Sequence, residues 1–275
     1  MDTTMLGWRV FAGVRRPEDG SSLVAEAPSV EPLLLDVSSD ASVGAAAAEV
    51  AGRLGGRPLA GLVNNAGKGV FMPLEVMPVE VFQDVMDVNV TGVLRLTQAA
   101  MPLLKRASQH PDQPAGRIVN VGSYAGSIAI PLTAAYSCSK FALEALSDVM
   151  RYELGPKWGI KTVLIKAGGV KTPIWQASRA RSDEVLREVE PARMLPYSGI
   201  MREILGLSRR AEEGGITAEE VAATIEEALT SPNPRSRYLI GNGAEFEMTV
   251  RRLLPDWVWD RLLLGNLRST GDPWA

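Results

Sequence analysis

The stretch Gly116–Val170, GRIVNVGSYAGSIAIPLTAAYSCSKFALEALSDVMRYELGPKWGIKTVLIKAGGV, decides the fold. It opens with a short apolar run, Gly116–Gly122, and closes with another, Gly159–Lys166. Between them Ala134–Leu154 repeats its apolar positions at helical spacing. Neither run alternates apolar with polar residues, so each reads as a strand covered on both faces. Strand, helix and strand in that order form a parallel βαβ unit.

The same alternation extends in both directions. Trp8–Val14, Pro32–Asp36, Leu59–Asn64 and Ser236–Gly241 read as further strands, and Ala41–Leu54, Val79–Lys105 and Thr217–Ser231 as helices. Thr217 and Glu220 have capping-box spacing at the start of the last helix. The expected architecture is a single α/β domain, residues 1–275, built on a mostly parallel sheet.

Thr172–Gly215 is polar and longer than a connection needs, with prolines at 173, 191 and 196. Excursions of this kind in α/β proteins usually carry function, so residues 172–215 are expected to form an irregular substrate lid. In the C-terminal tail, residues 244–275, the stretch Glu247–Leu264 is amphipathic. Val250, Leu253, Leu254, Trp257, Val258 and Leu262 could share one face.

Composition narrows the chemistry. The net charge of −3 gives no basic footprint for nucleic acid. A single cysteine, Cys138, excludes an intramolecular disulfide and a thiolate zinc site. The single histidine, His110, lies in the polar run Gln109–Gln113, read as a loop, and excludes a histidine-rich metal centre. No apolar run approaches the length of a membrane span, and Met1–Arg16 lacks the pattern of a secretory signal, so a cytoplasmic protein is expected. The chemistry falls to other side chains and to a cofactor.

Tyr136 and Lys140 stand one turn apart on the same helix face. A nearby ammonium favours the phenolate, drawing a tyrosine toward the range where it can trade protons. Ser123 follows the end of a strand, where α/β sheets gather their ligands, and its hydroxyl can meet a substrate oxygen. Asn64-Asn65-Ala66-Gly67 ends another strand. Asn89 sits in Asp87-Val88-Asn89-Val90-Thr91-Gly92, where asparagine and glycine are poor helix formers, a misfit that invites a functional reading. Singly, each has a plain alternative: a solvated helix face, a turn serine, a strand-ending turn, a kinked helix. Their order and placement together point to one site.

In that combination the chain resembles the short-chain dehydrogenase/reductase family from Trp8 to about Gly243, and Trp8–Asp19, Tyr136–Leu154 and Thr172-Pro173-Ile174-Trp175 resemble its retinol and hydroxysteroid dehydrogenase-like branch. The resemblance implies a Rossmann-like doubly wound sheet and hydride transfer between a nicotinamide cofactor and a small apolar alcohol, ketone or aldehyde. It implies Tyr136 as general acid or base and Ser123 as holder of the substrate oxygen. Lys140 would lower the Tyr136 pKa and bind the nicotinamide ribose, and Asn89 would hold a relay water. Asp36 and Val37 would contact adenine; Asn65, Ala66 and Gly67 would line the adenosine side; Gly168, Gly169, Val170 and Thr172 would embrace the nicotinamide. A homodimer or homotetramer through Val79–Lys105 and Ala134–Leu154 is expected.

The end of the first strand reads Gly13-Val14-Arg15-Arg16, without an acid until Glu18. Two guanidinium groups suit a 2′-phosphate, so NADP(H) is expected over NAD(H); the alternative is a pair of solvated charges. The family's first strand and its turn Thr-Gly-x-x-x-Gly-x-Gly have no counterpart between Met1 and Trp8. A gap is therefore expected between Trp8–Val14 and Leu59–Asn64. An upstream segment of roughly thirty residues would fill it; a real deletion is the alternative, and with it a non-catalytic binding or scaffold protein unable to hold nucleotide. A second departure is Lys166-Ala167-Gly168, where relatives place proline before the glycine.

Overall fold

The computed structural model describes residues 7–109, 116–241, 249–251 and 253–268. His110 and its polar run, Met1–Leu6, and the parts of the tail at 242–248 and 269–275 lie outside the described residues.

Six parallel strands form: β1 (Phe11–Val14), β2 (Glu31–Leu34), β3 (Gly61–Asn64), β4 (Arg117–Val121), β5 (Lys161–Ala167) and β6 (Arg237–Ile240). All six lie within or beside the expected runs. They are shorter because the flanking residues of those runs serve the connections. The helices are α1 (Pro17–Glu26), α2 (Asp40–Leu54), α3 (Val79–Met86), α4 (Gly92–Gln109), α5 (Ala134–Trp158), α6 (Ile174–Leu186), α7 (Pro191–Met194), α8 (Ser198–Gly214), α9 (Ala218–Thr230) and α10 (Asp256–Arg268).

Two layers of helix cover the larger sheet, ordered β3-β4-β5-β6. On one side α4 and α5 bury Val93, Ala100, Leu104, Leu143 and Met150 against Ile118 and Leu164. On the other, α9 buries Val221 and Ala228 against Val119, Val163, Ile165 and Tyr238. The near-continuous burial of β4 and β5 is what their unalternating sequences require. The capping box of α9 is formed, with Thr217 and Glu220 each bonding the other's backbone. Gly159, at φ 67°, takes the left-handed conformation that ends α5 and returns the chain into β5.

The sheet is divided. β1 and β2 pair with each other, and no ladder joins β1 to β3 among the described residues. The expected gap is therefore present, and β3 is only partly covered along most of its length.

Three expectations need correction. The excursion after Thr172 is helical, in α6, α7 and α8, and not irregular. Its buried positions keep a helical interval: Ser178 and Ser182 on α6, and Ile200, Ile204 and Ser208 on α8. Three of the five are serines, so the buried stripe carries little apolar signal. Ser182 bonds the Ser178 carbonyl of its own helix and accepts from the Phe71 amide at 2.8 Å, which satisfies it in the interior. The single helix expected over Val79–Lys105 is broken into α3 and α4 by a wide turn of π-helix at Asp87–Thr91. The tail does not present one face. Val250, Leu254 and Trp259 pack inward, while Leu253, Trp257 and Leu262 are exposed. Pro255 interrupts the periodicity and starts a new helix, α10, in a different phase.

Candidate active site

The larger sheet directs three segments to one end. β4 runs into Gly122 and Ser123, where Ser123 caps the single turn Tyr124–Gly126 and accepts from the Ala125 amide at 3.1 Å. α5 begins after Leu132, a buried residue held at φ 65°, a conformation that costs leucine about 1 kcal/mol. The Leu132 carbonyl accepts from Met72, which ties the entry of α5 to the loop after β3.

Tyr136 is half-buried. Burial raises its pKa above the ordinary phenol value, and the Ser123 side chain opposes that rise. Lys140 is buried, with its ammonium 5.6 Å from the centre of the Tyr136 ring and donating to the Val121 carbonyl at 2.9 Å. Burial brings its pKa down to about 8. The lowering of Tyr136 by Lys140 expected from their spacing is not the direction found here: burial raises the Tyr136 pKa, and the Lys140 ammonium is turned to the Val121 carbonyl.

Asn89 is fully buried at the centre of the π turn. Its amide donates to the Lys68 carbonyl and to Ser139 Oγ, and its oxygen accepts from the Lys68 amide, all at 2.9 Å. Ser139 in turn donates to the Tyr136 carbonyl at 2.7 Å. One asparagine thus fastens the loop after β3 to the helix that carries Tyr136 and Lys140. Gly67 lies where an added Cβ would be 3.5 Å from Asn89 Oδ1 and 3.7 Å from Lys140 Nζ. Asn65, Ala66 and Gly67 are exposed beside that junction.

The other expected contacts are scattered around this centre. Asp36 is exposed after β2; its Oδ1 accepts from the Ser38 amide and hydroxyl, which hold its pKa below the usual carboxylate range. Val37 is buried, and its carbonyl accepts from Arg95 at 2.9 Å. Arg15 is exposed and forms no ion pair among the described residues. Arg16 differs: it is bridged to Asp19 by two bonds, at 3.0 and 2.6 Å. Past β5, the Gly169 carbonyl and the Lys171 amide are committed to Ile216, and the Val170 side chain packs into the apolar layer under the sheet. Thr172, half-buried, precedes α6.

Two contributors escaped the sequence reading. Ser139, inside the Tyr-x-x-x-Lys motif, couples Asn89 to Tyr136; its position within the motif was the available signal. Arg95 binds the Val37 carbonyl together with Asp40 and Asp87, and so braces the loop after β2. Nothing in its local sequence marks it.

The excursion after Thr172 packs against the loop that follows β3. Phe71 and Trp175 stack with ring centres 6.5 Å apart and planes at 10°, and Trp175 donates to the Val170 carbonyl at 2.7 Å. Leu132, Ile200, Ile204 and Leu264 complete an apolar cluster around Phe71. Beyond it Tyr197 donates to Glu75 at 2.6 Å.

These residues can hold a dinucleotide at both ends. Lys140 offers donors beside Gly67, Asp36 has one carboxylate oxygen outside its Ser38 bonds, and Arg15 is an unpaired cation at the end of β1. Among the described residues no three or more acidic, histidine or cysteine side chains cluster to hold a metal, and no helix is long and apolar enough to cross a membrane.

A family model described as short chain dehydrogenase matches residues 3–183. The chain is similar to the NADPH-dependent 3-dehydrocapnine reductase of Ornithobacterium rhinotracheale, 29% identical over 264 residues, 96% of this chain and 90% of that protein. It is also similar to retinol dehydrogenase 7 of Rattus norvegicus, 32% identical over 269 residues, 94% of this chain and 80% of that protein. Among solved structures, a short chain dehydrogenase/reductase from Burkholderia phymatum in complex with NAD superposes with a TM-score of 0.73 at 26% identity, covering 90% of this chain and 84% of that one.

Proposed function

As the chain belongs to the short-chain dehydrogenase family and is an oxidoreductase of carbonyl or alcohol substrates, we propose that it is an NADP(H)-dependent enzyme for apolar ketones, aldehydes or alcohols, working through Ser123, Tyr136 and Lys140. The observation that carries this reading is the buried Lys140 ammonium, 5.6 Å from the centre of the Tyr136 ring and bonded to the Val121 carbonyl two residues before Ser123.

In reduction Ser123 donates to the substrate carbonyl oxygen and Tyr136 delivers a proton to it; in oxidation Tyr136 removes the hydroxyl proton. NADP(H), when bound, supplies the hydride in one direction and accepts it in the other. Lys140 would hold the nicotinamide ribose and, with a pKa of about 8, restore the Tyr136 proton near neutral pH. Asn89 keeps the loop of Gly67 against Lys140 so that both act on one ligand. Asn65, Ala66, Asp36 and Val37 would receive the adenosine, and Gly169, Val170 and Thr172 the nicotinamide.

NADP(H) is favoured over NAD(H) by Arg15, whose unpaired guanidinium suits a phosphate better than a hydroxyl. Arg16 serves this less well, being engaged by Asp19. The stacked Phe71–Trp175 pair and the apolar cluster under α8 favour an apolar substrate, in keeping with relatives named as retinol and hydroxysteroid dehydrogenases. Exposed Leu94 on α4 and Phe141, Val149 and Tyr152 on α5 support pairing of copies through these helices.

The test is a panel of aldehydes and ketones, from decanal to steroid ketones, with consumption of NADPH and NADH followed by absorbance and binding by tryptophan fluorescence. Preferred turnover of apolar members with NADPH is expected. Failure to bind either nucleotide would end the proposal.

A further inference from the structure

Beneath the candidate site lies a buried charged group that the proposed chemistry does not use. Alternation along β5 puts Leu164 and Lys166 on the face under α5, opposite Val163 and Ile165. The Lys166 side chain is 4% exposed, and an ammonium so deep in a sheet needs partners. It has two. Its Nζ lies 2.5 Å from Glu144 Oε1 and donates to the Ser127 hydroxyl. Ser127 also donates to Glu144 Oε1 at 3.4 Å. Glu144 Oε2 accepts from Arg237 on β6 at 3.1 Å, and Arg237 bonds Asp148 at 2.6 Å.

Both partners touch the reacting groups' supports. Ser127 ends the single turn that Ser123 begins. Glu144 stands one helical turn past Lys140 and two past Tyr136 on α5. Between them Gly126 seats the turn directly on the helix: a Cβ there would fall 2.7 Å from the Lys140 carbonyl and 3.4 Å from Glu144 Cγ. The turn is pressed against α5 at Gly126 and tied down at Ser127.

We propose that Lys166 is a positioning residue, acting through Ser127 and Glu144 to hold the turn that Ser123 begins in register with Tyr136 on α5. The inference rests on the reading of Ser123 and Tyr136 given above. Without the ammonium, Glu144 keeps Arg237, and the Ser127 hydroxyl keeps only its 3.4 Å contact. The turn can then lift from Gly126, and Ser123 loses its register with Tyr136. Because Ser123 opposes the burial-driven rise of the Tyr136 pKa, that loss has a titration signature.

The experiment compares Lys166→Met and Ser127→Ala with the parent protein, using NADPH and decanal, or the panel ketone that turns over fastest, and the corresponding alcohol in the oxidation direction. Tyr136→Phe is run beside them. Both variants should lose on the order of 10- to 100-fold in kcat, the scale of a small misplacement, while NADPH affinity stays within about two-fold. In oxidation the rise of rate with pH should shift to higher pH in both, since Tyr136 must lose its proton to act. Unchanged kcat, or a lower kcat with the pH profile unmoved, overturns the proposal, because a merely structural loss would not alter the tyrosine's titration. If Lys166→Met does not fold, Ser127→Ala decides alone, as it removes one hydroxyl and leaves no charge unpaired. If Tyr136→Phe keeps the parent rate, the underlying reading fails, a result distinct from failure of Lys166→Met alone.

Discussion

Lys140→Met is expected to stabilise the protein while abolishing turnover. Lys140 is 5% exposed, donates one hydrogen bond to the Val121 carbonyl, and has no ion-pair partner among the described residues. Burial takes its pKa from 10.5 to about 8. At about 1.4 kcal/mol per unit, keeping the buried ammonium charged near neutral pH costs the native state about 3 kcal/mol. The folded value is the lower one, so between about pH 8 and 10.5 the unfolded chain holds the extra proton and stability rises with pH. That contribution is complete above the unfolded value and lost as pH falls through the folded one. Methionine removes the titration but also the bond to Val121, worth roughly 1–2 kcal/mol, leaving a net gain of about 1–2 kcal/mol near pH 7. Urea unfolding followed by tryptophan fluorescence, on both proteins from near neutral to alkaline pH, measures it. The advantage of the variant should shrink as pH rises. A variant less stable than the parent near pH 7, or a difference that does not vary with pH, refutes the reasoning.

Tyr136→Phe should reduce turnover to at most a few per cent while circular dichroism and unfolding remain those of the parent, because only one hydroxyl leaves a helix that keeps its packing. Asn89→Ala deletes three hydrogen bonds, the one to Ser139 fully buried, and should cost roughly 2–4 kcal/mol in urea unfolding, part of the loss being offset by water at half-buried Lys68. Arg15→Ala should erode the NADPH-over-NADH preference by roughly 1–3 kcal/mol, the worth of a charge-assisted bond, and Arg16→Ala by much less; equal effects would contradict the assignment. Amides of β1 and β2, in a two-stranded sheet with no ladder to the rest, should exchange with solvent faster than those of β4 and β5.

The sequence made the strands and the shared helix face of Tyr136 and Lys140 legible because their signals are local: unalternating apolar runs, and one turn between the two residues. The helices after Thr172 were missed because Ser178, Ser182 and Ser208 line buried faces while looking solvent-bound. The direction of the Tyr136 shift also escaped, since spacing reveals Lys140 but not the burial that raises the phenol. Arg95 and Lys166 are long-range: each is defined by partners on other elements, and an isolated arginine on a helix or lysine in a strand announces neither. The misfit at Asn89, by contrast, was visible from composition and proved to be a change in the helix itself.

That change has an angular meaning. Val81, Val85, Asn89, Val93 and Thr97 are buried at every fourth position from α3 into α4. In a regular helix each step of four advances the buried direction by about 40°, so four steps would turn it by about 160°, nearly to the opposite side. The wide turn at Asp87–Thr91 absorbs roughly one residue, about 100° of that rotation, and leaves about 60°, within the width of one apolar stripe. Deleting Asn89 and allowing an ordinary helix would therefore keep Val85 and Val93 in phase, whereas inserting a residue there would swing them apart. The length of this segment is asymmetric in its tolerance: the core can survive one residue fewer, but the loop of Lys68 would then lose the anchor that holds it to Ser139.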